Sequence, residues 1–169
     1  MPTLTGPKTM QRRKNRDLIE EQDALLARKY TFTLSPTQWS SYGETSVRKW
    51  RVLRLHKSER QRIPPASGIY TLLIQPGVAR HPACSYLMYV GQAVSLRKRF
   101  GEYLKKERRE SGRPKIFRLL NIYTDYVWFA FADVAKARLD TVEDQLIEAH
   151  LPPCNNKLPA TIRKVGNAF

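Results

Sequence analysis

Apolar residues gather in three short runs separated by residues that turn the chain. Tyr70-Thr71-Leu72-Leu73-Ile74, Tyr86-Leu87-Met88-Tyr89-Val90 and Tyr126-Val127-Trp128-Phe129-Ala130-Phe131 are rich in side chains that favour extended backbone. Pro64-Pro65 precedes the first run, Pro76-Gly77 stands between the first two, and Gly91 follows the second, which predicts an antiparallel pair. Between the second and third runs, Leu96, Phe100 and Leu104 recur at helical spacing within Ser95 to Leu104, so a helix with one apolar stripe is expected there. Arg99 and Tyr103 are four residues apart on its neighbouring face. A second helix follows the third run: Ala135, Leu139, Val142, Leu146 and Ala149 repeat every three or four residues, Asp133 is its expected N-cap, and Glu143 sits at the edge of the stripe. Together these elements predict an α/β (α+β) core with a small, mostly antiparallel three-stranded sheet flanked by helices.

Residues 1–67 read as a basic N-terminal extension of arm, helix and mixed segment. Arg16 to Lys29 has Leu18, Ile19, Leu25 and Leu26 roughly on one side of a helix, and Tyr30, Phe32 and Leu34 then alternate like a strand until Ser35-Pro36 breaks the run. From Ser46 to Leu55 the apolar residues Val47, Trp50, Val52, Leu53 and Leu55 fit neither period cleanly. Trp39, Tyr42 and Trp50 interleave with Arg48, Lys49, Arg51 and Arg54, a mixture that suits nucleic acid contact or anchoring of the extension; the apolar neighbours of Trp50 favour packing, and Trp39 stays open.

An apolar content of 41% supports a packed core, and no run approaches the length of a membrane span. The start Met1-Pro2-Thr3 lacks the charged and apolar regions of a secretory signal, so a cytoplasmic location is expected. Cys84 and Cys154 have no metal-site spacing and read as reduced thiols. The net charge of +15 points to a polyanionic partner. Its distribution sharpens this, because residues 97–118 hold ten Lys and Arg against three Asp and Glu, while the rest of 68–169 is neutral. The excess therefore lies on the helix carrying Arg99 and its expected continuation, through Arg97, Lys98, Lys105, Lys106, Arg108, Arg109, Arg113, Lys115 and Arg118.

Five separated motifs stand in a telling order: Gly68-Ile69-Tyr70; Tyr89-Val90-Gly91 with Ala93, Leu96 and Arg99 behind it; Tyr103 one turn on; Glu143 with Leu146-Ile147; and Pro152 leading to Asn155. In this the stretch 68–156 resembles the GIY-YIG nuclease family, with 157–169 left as a basic C-terminal tail. Two features depart from the family pattern. The spacer from Tyr70 to Tyr89 is long, and Gln92 stands where repair-type members often carry lysine, so that it can hydrogen-bond a phosphate but adds no charge.

The resemblance implies an endonuclease that hydrolyses DNA phosphodiesters to 5′-phosphate and 3′-hydroxyl ends. Its catalytic residues would be Tyr70, Tyr89, Arg99, Tyr103, Glu143 and Asn155, with Glu143 also the metal ligand. A single carboxylate with waters suits one Mg²⁺ or Mn²⁺ ion better than a two-metal site. Arg99 offers a permanently charged fork for the scissile phosphate. Tyr70 and Tyr89 would serve the attacking water, one as general base and one as orienting partner, in an order the sequence leaves open; nearby cations would have to lower the phenol pKa. Tyr103 would support the phosphate or proton transfer, and Asn155 would order the site, though it reads almost equally as a helix-terminating residue. Gln92, Arg97, Lys98, Lys105, Lys106, Arg108, Arg109, Lys115 and Arg118 are the expected contacts to DNA, most naturally double-stranded. A chain of this length looks more like a stand-alone restriction, defence or mobile-element nuclease, for which palindromic specificity would favour a homodimer. Two other classes remain on the same residues: a non-catalytic nucleic-acid-binding protein on this scaffold, and a ribonuclease.

Overall fold

The computed structural model describes residues 20–41, 47, 49–76, 85–105 and 113–156. The chain divides into two units, Met1–Thr31 and Phe32–Phe169. Of the first, the described part is helical over 20–28, with Leu25 and Leu26 exposed.

The second unit is built on an antiparallel sheet of four strands, β1 (Arg51–Arg54), β2 (Gly68–Ile74), β3 (Tyr86–Ala93) and β4 (Val127–Asp133), in the order β1-β4-β2-β3. The expectation of three strands is thus corrected by one. The added strand, β1, comes from the segment that fitted neither period: it has only four residues, and its pairing with β4 places Val52 opposite Ala130 and Leu53 opposite Phe129. The sheet therefore reaches upstream of Gly68.

Helices cover both faces. The short helix α1 (Pro36–Ser41) packs against α4 (Leu139–His150), and α2 (Leu96–Leu104) and α3 (Pro114–Ile122) lie between β3 and β4 in the chain. Ser95 caps α2 by accepting from the Lys98 amide, while Pro114 at the first turn of α3 supplies a preset φ where no amide donor is needed. The basic run is consequently not one helix: α2 ends at Leu104, with Lys105 as its cap, and α3 begins afresh at Pro114. Nor does Asp133 cap a helix. It ends β4 and takes both of its hydrogen bonds from Arg51 on β1, at 2.9 and 3.0 Å, while α4 starts only at Leu139.

Strand alternation sorts the core into two layers. On one face Ile69 and Val90 meet Leu139, Val142, Leu146 and Ile147 of α4, with Trp50 packed against them. Tyr70, Leu72 and Phe129 point the other way, where Phe129 stacks on Tyr70 at 5.0 Å and meets Phe100 of α2 edge-on at 5.2 Å.

Among the described residues, no helix is long and apolar enough to cross a membrane.

Candidate active site

Antiparallel register sets the first part of the site. Tyr70 pairs with Gly91, and Leu72 with Tyr89, so both phenols leave the same face of the β2–β3 pair one step apart, with ring centroids at 6.1 Å. Gly91 is what lets them approach. A Cβ there would stand 2.5 Å from Tyr70 Oη and 2.7 Å from both Tyr70 Cζ and Tyr89 Cε1, closer than side chains tolerate. The third phenol arrives on α2: Tyr103 shares a 2.8 Å hydrogen bond with the Tyr70 hydroxyl, and the two rings meet edge-on at 5.8 Å.

Burial governs the chemistry of this cluster. Desolvation holds Tyr70 well above the ordinary phenol value of 10, with the neighbouring phenols Tyr103 and Tyr89 adding to the rise. Desolvation likewise pushes Tyr103 up to about 12. Arg99 is near enough to pull both down, but its influence is smaller than that of burial, so both stay neutral phenols at neutral pH.

Arg99 forms an ion pair with Glu102 at 2.9 Å through Nη1, and its buried Nε has no hydrogen-bond partner among the described residues. A guanidinium with a desolvated N–H still to be satisfied is a site for an oxyanion.

The second part forms at the open edge of β3. Residues 154–155 run along this edge: the Cys154 amide donates to the Met88 carbonyl at 2.9 Å, and the Asn155 side chain both accepts from the Val90 amide and donates to the Val90 carbonyl, each at 2.9 Å. An asparagine amide thus takes the place of a neighbouring peptide and blunts the edge. The chain is aimed there by Leu151, whose left-handed φ of 45° ends α4. A cleft of about 270 Å³ results, lined by Tyr89, Arg113, Glu143, Ile147 and Asn155 with the neighbouring Cys154 and Asn156. Tyr89 is common to both parts: its ring belongs to the phenol cluster and it also lines the cleft beside Glu143.

Two partners of the site residues were not among those expected from the sequence. Arg113, counted only as part of the basic run, donates through Nη1 to the Tyr89 hydroxyl, and its guanidinium lies 5.7 Å from the Tyr89 ring centre. The proximity of Tyr89 is the chief reason the Arg113 guanidinium is held above its ordinary value. Asp140 is the other. The Gln92 amide nitrogen donates to Asp140 Oδ1 at 2.5 Å and to Glu143 Oε2 at 2.8 Å, bridging two carboxylates less than one turn apart on α4. No sequence signal marks either contact, since each joins residues far apart in the chain.

The donor set fits a hard divalent cation at Glu143. Its carboxylate lines a cleft with room for water, and Asp140 adds a second negative charge where the Gln92 amide hydrogens now point. Among the described residues no group of three or more His, Cys, Asp or Glu side chains could hold a metal, so Glu143 with waters would hold it.

No family model matches the sequence, and no curated protein does. Two solved structures of the GIY-YIG N-terminal endonuclease domain of UvrC from Thermotoga maritima, both point mutants bound to the catalytic divalent cation, are similar to this chain. They are 17% and 16% identical, with a TM-score of 0.41 for each, over 60% of this chain and 99% of theirs.

The expected nucleic acid contacts divide by position. Arg97 turns inward, with Nε on the Ile63 carbonyl at 2.7 Å and Nη2 on that of Gln61 at 3.3 Å. Gln92 is held by the two carboxylates, and Lys115 donates to the Pro153 carbonyl at 3.1 Å. Lys98, Lys105 and Arg118 are exposed. Lys106, Arg108 and Arg109 lie outside the described residues, as do Cys84, the N-terminal arm and the 157–169 tail.

Proposed function

We propose that this chain is a metal-dependent DNA endonuclease of GIY-YIG type, using one Mg²⁺ or Mn²⁺ ion and leaving 5′-phosphate and 3′-hydroxyl ends. The observation that carries this reading is the convergence on Tyr89: phenols from β2 and α2 on one side, and the Glu143 carboxylate and the Asn155 edge clamp on the other.

In this reading the three phenols divide the labour by their surroundings. Tyr70 and Tyr103, kept neutral by burial, orient water and phosphate through their shared hydroxyl pair. Tyr89 lines the cleft, and its hydroxyl already accepts from Arg113, so it is the oxygen placed to take the proton of the attacking water once its own phenolic proton has passed to solvent in the cleft. Arg113 faces the charge that a proton-accepting Tyr89 carries. Arg99 satisfies its buried Nε with an oxygen of the scissile phosphate. Glu143 with waters would hold the divalent cation, which would supply Lewis-acid stabilisation of developing negative charge. Asn155 fixes the β3 edge, and with it Tyr89, against the helix carrying Glu143.

A restriction, defence or mobile-element role, acting on duplex DNA as a homodimer in the cytoplasm, is the biological setting that best suits the chain's charge and its basic residues upstream of the sheet.

Purified protein incubated with plasmid and Mg²⁺ or Mn²⁺ tests the proposal. Wild type is expected to nick or cut, and Glu143→Ala and Arg99→Ala to lose activity by a factor on the order of 10² or more. Equal nicking by all three would mean a contaminant. Absence of cutting with retained DNA binding would make the chain a non-catalytic binder, and cutting of RNA alone would make it a ribonuclease. Sequencing the cut ends reports site preference, stagger and end chemistry together.

A further inference from the structure

Helix α2 has a second cleft on its far side. The 3₁₀ turn Lys57–Arg62, the C-terminal half of α2 and the turn before β4 enclose about 380 Å³, with Arg54, Lys57, Arg60, Lys105, Gly101 and Asp125 among the lining residues. Gly101 is two residues from both Arg99 and Tyr103, about 200° around the helix, so this cleft opens away from the phenol cluster.

Cations outnumber carboxylates here, and two of them are held by their surroundings. Arg54 is engaged by the turn, donating to the Asp125 carbonyl at 2.8 Å and lying 3.7 Å from its carboxylate. Lys57, Arg60 and Lys105 have no carboxylate partner among the described residues. Arg60 is seated on the backbone of α2: a Cβ at Gly101 would come within 2.9 Å of its Nε and 3.2 Å of its Cζ, so the guanidinium occupies the space that the glycine leaves. The turn carrying Lys57 and Arg60 is itself tied to α2, because the Arg97 guanidinium binds the carbonyls of Gln61 and Ile63 and the Arg97 amide binds that of Pro64. Most surface cations belong to long side chains that move in solvent and need no counter-ion. A guanidinium seated against Gly101 in a concave site beside two lysines, by contrast, has given up part of the freedom that binding would cost.

We propose that this cleft is a phosphate-binding site that holds the sugar–phosphate backbone of DNA beyond the cleavage site, with Arg60 as its fork and Lys57 and Lys105 as flanking charges. The identity of the polyanion rests on the nuclease reading; the anion site itself rests on Arg60 and Gly101. Of the sequence-expected contacts, Lys105 falls in this site and Arg97 becomes the strut that shapes it. Lys57 and Arg60 were not expected from the sequence at all.

The test uses the full chain carrying Glu143→Gln, so that DNA is bound without being cut, and follows the affinity for a labelled duplex across a salt series. Adding Lys57→Gln and Arg60→Gln should lower the slope of log K against log salt by about 2, since each lost phosphate contact removes about 0.9. Gly101→Ala keeps every charge and only displaces the guanidinium, and should lower the slope by about 1. Arg62→Gln, whose guanidinium is paired with Glu59 at 2.6 Å, should leave it unchanged. Identical slopes for all forms, with DNA still bound and the parent chain still cutting, would overturn this inference alone. Failure of every form to bind DNA would overturn the nuclease reading and this one with it. A thermal shift with inorganic phosphate that Arg60→Gln abolishes, without any change in the DNA slope, would make the cleft a site for a small anion and overturn its assignment to nucleic acid.

Discussion

The two faces of the sheet carry different kinds of side chain to different ends. Toward α4 the strands present Ile69 and Val90 with Thr71 beside them, and the helix answers with Leu139, Val142, Leu146 and Ile147, a mostly aliphatic layer. Toward α2 they present Tyr70, Tyr89 and Phe129, whose rings fill that layer but bring hydroxyls with them, and burial keeps that of Tyr70 neutral and hydrogen-bonded to Tyr103. One layer holds the sheet to its helix; the other holds it while also presenting chemistry. The site nevertheless belongs to neither face. It forms at the β3 edge, where Tyr89 from the aromatic layer and Glu143 from the helix behind the aliphatic layer line one cleft. The carboxylate reaches the phenols around the end of the sheet, so the side of the molecule that supplies stability must also supply position.

If that division is correct, substitutions on the two faces should separate activity from stability. The largest effect is expected from Tyr89→Phe, which keeps the ring and removes the oxygen. Single-turnover cleavage should fall by about 10²–10⁴ while the thermal midpoint moves little; a loss of stability as large as the loss of rate would break the comparison. Leu146→Ala should do the reverse, costing about 2–5 kcal/mol in urea denaturation and leaving the cleavage rate per native molecule unchanged.

The aromatic layer also predicts an alkaline limit. Tyr103 has its folded value raised from 10 to about 12, and Tyr70 is raised as well, so the folded state holds these protons more tightly than the unfolded chain. Their contribution is complete below pH 10 and is lost as pH rises from 10 towards 12, roughly 3 kcal/mol for Tyr103 alone. Denaturation midpoints across that window measure it, and Tyr103→Phe should flatten the decline. Gly91→Ala joins the two properties, because its methyl group would collide with Tyr70 and Tyr89 together. A cost of about 1–3 kcal/mol and a matching fall in cleavage are expected. Asn155→Ala is the mildest of these, removing two hydrogen bonds from the β3 edge for about 1–2 kcal/mol; amide exchange at Val90 should accelerate where exchange in β2 does not.

How far the sequence could be read depended on how local each signal was. The helices α2 and α4 announce themselves by period, because each buries one face, and the strands β2, β3 and β4 by continuous apolar runs, because both of their faces are largely buried. Strand β1 does not: in four residues with Arg51, Val52 and Arg54 exposed there is no buried face to leave a pattern, and only pairing with β4 makes it a strand. Its absence from the reading also explains the misplaced helix cap, since Asp133 is occupied by Arg51 of that unread strand. The break between α2 and α3 was signalled by Pro114, but the charges on either side drew the two into one basic run. In the site, Tyr70, Tyr89, Arg99, Tyr103, Glu143 and Asn155 were named from motif order. Arg113, Asp140 and the inward turn of Arg97 were not, because their partners Tyr89, Gln92 and Ile63 lie 24, 48 and 34 residues away.

The sequence by itself determined where the core strands and the two helices behind them run, because apolar runs and a period of three to four are written into the order of its side chains. It also determined the supply of phenols, guanidinium groups and a half-buried carboxylate. Only the tertiary structure decided which of them meet, that burial outweighs Arg99 at Tyr70 and Tyr103, and that Arg60 finds a seat on Gly101. Desolvation and contact depend on what surrounds a group in three dimensions, and no spacing along the chain encodes them.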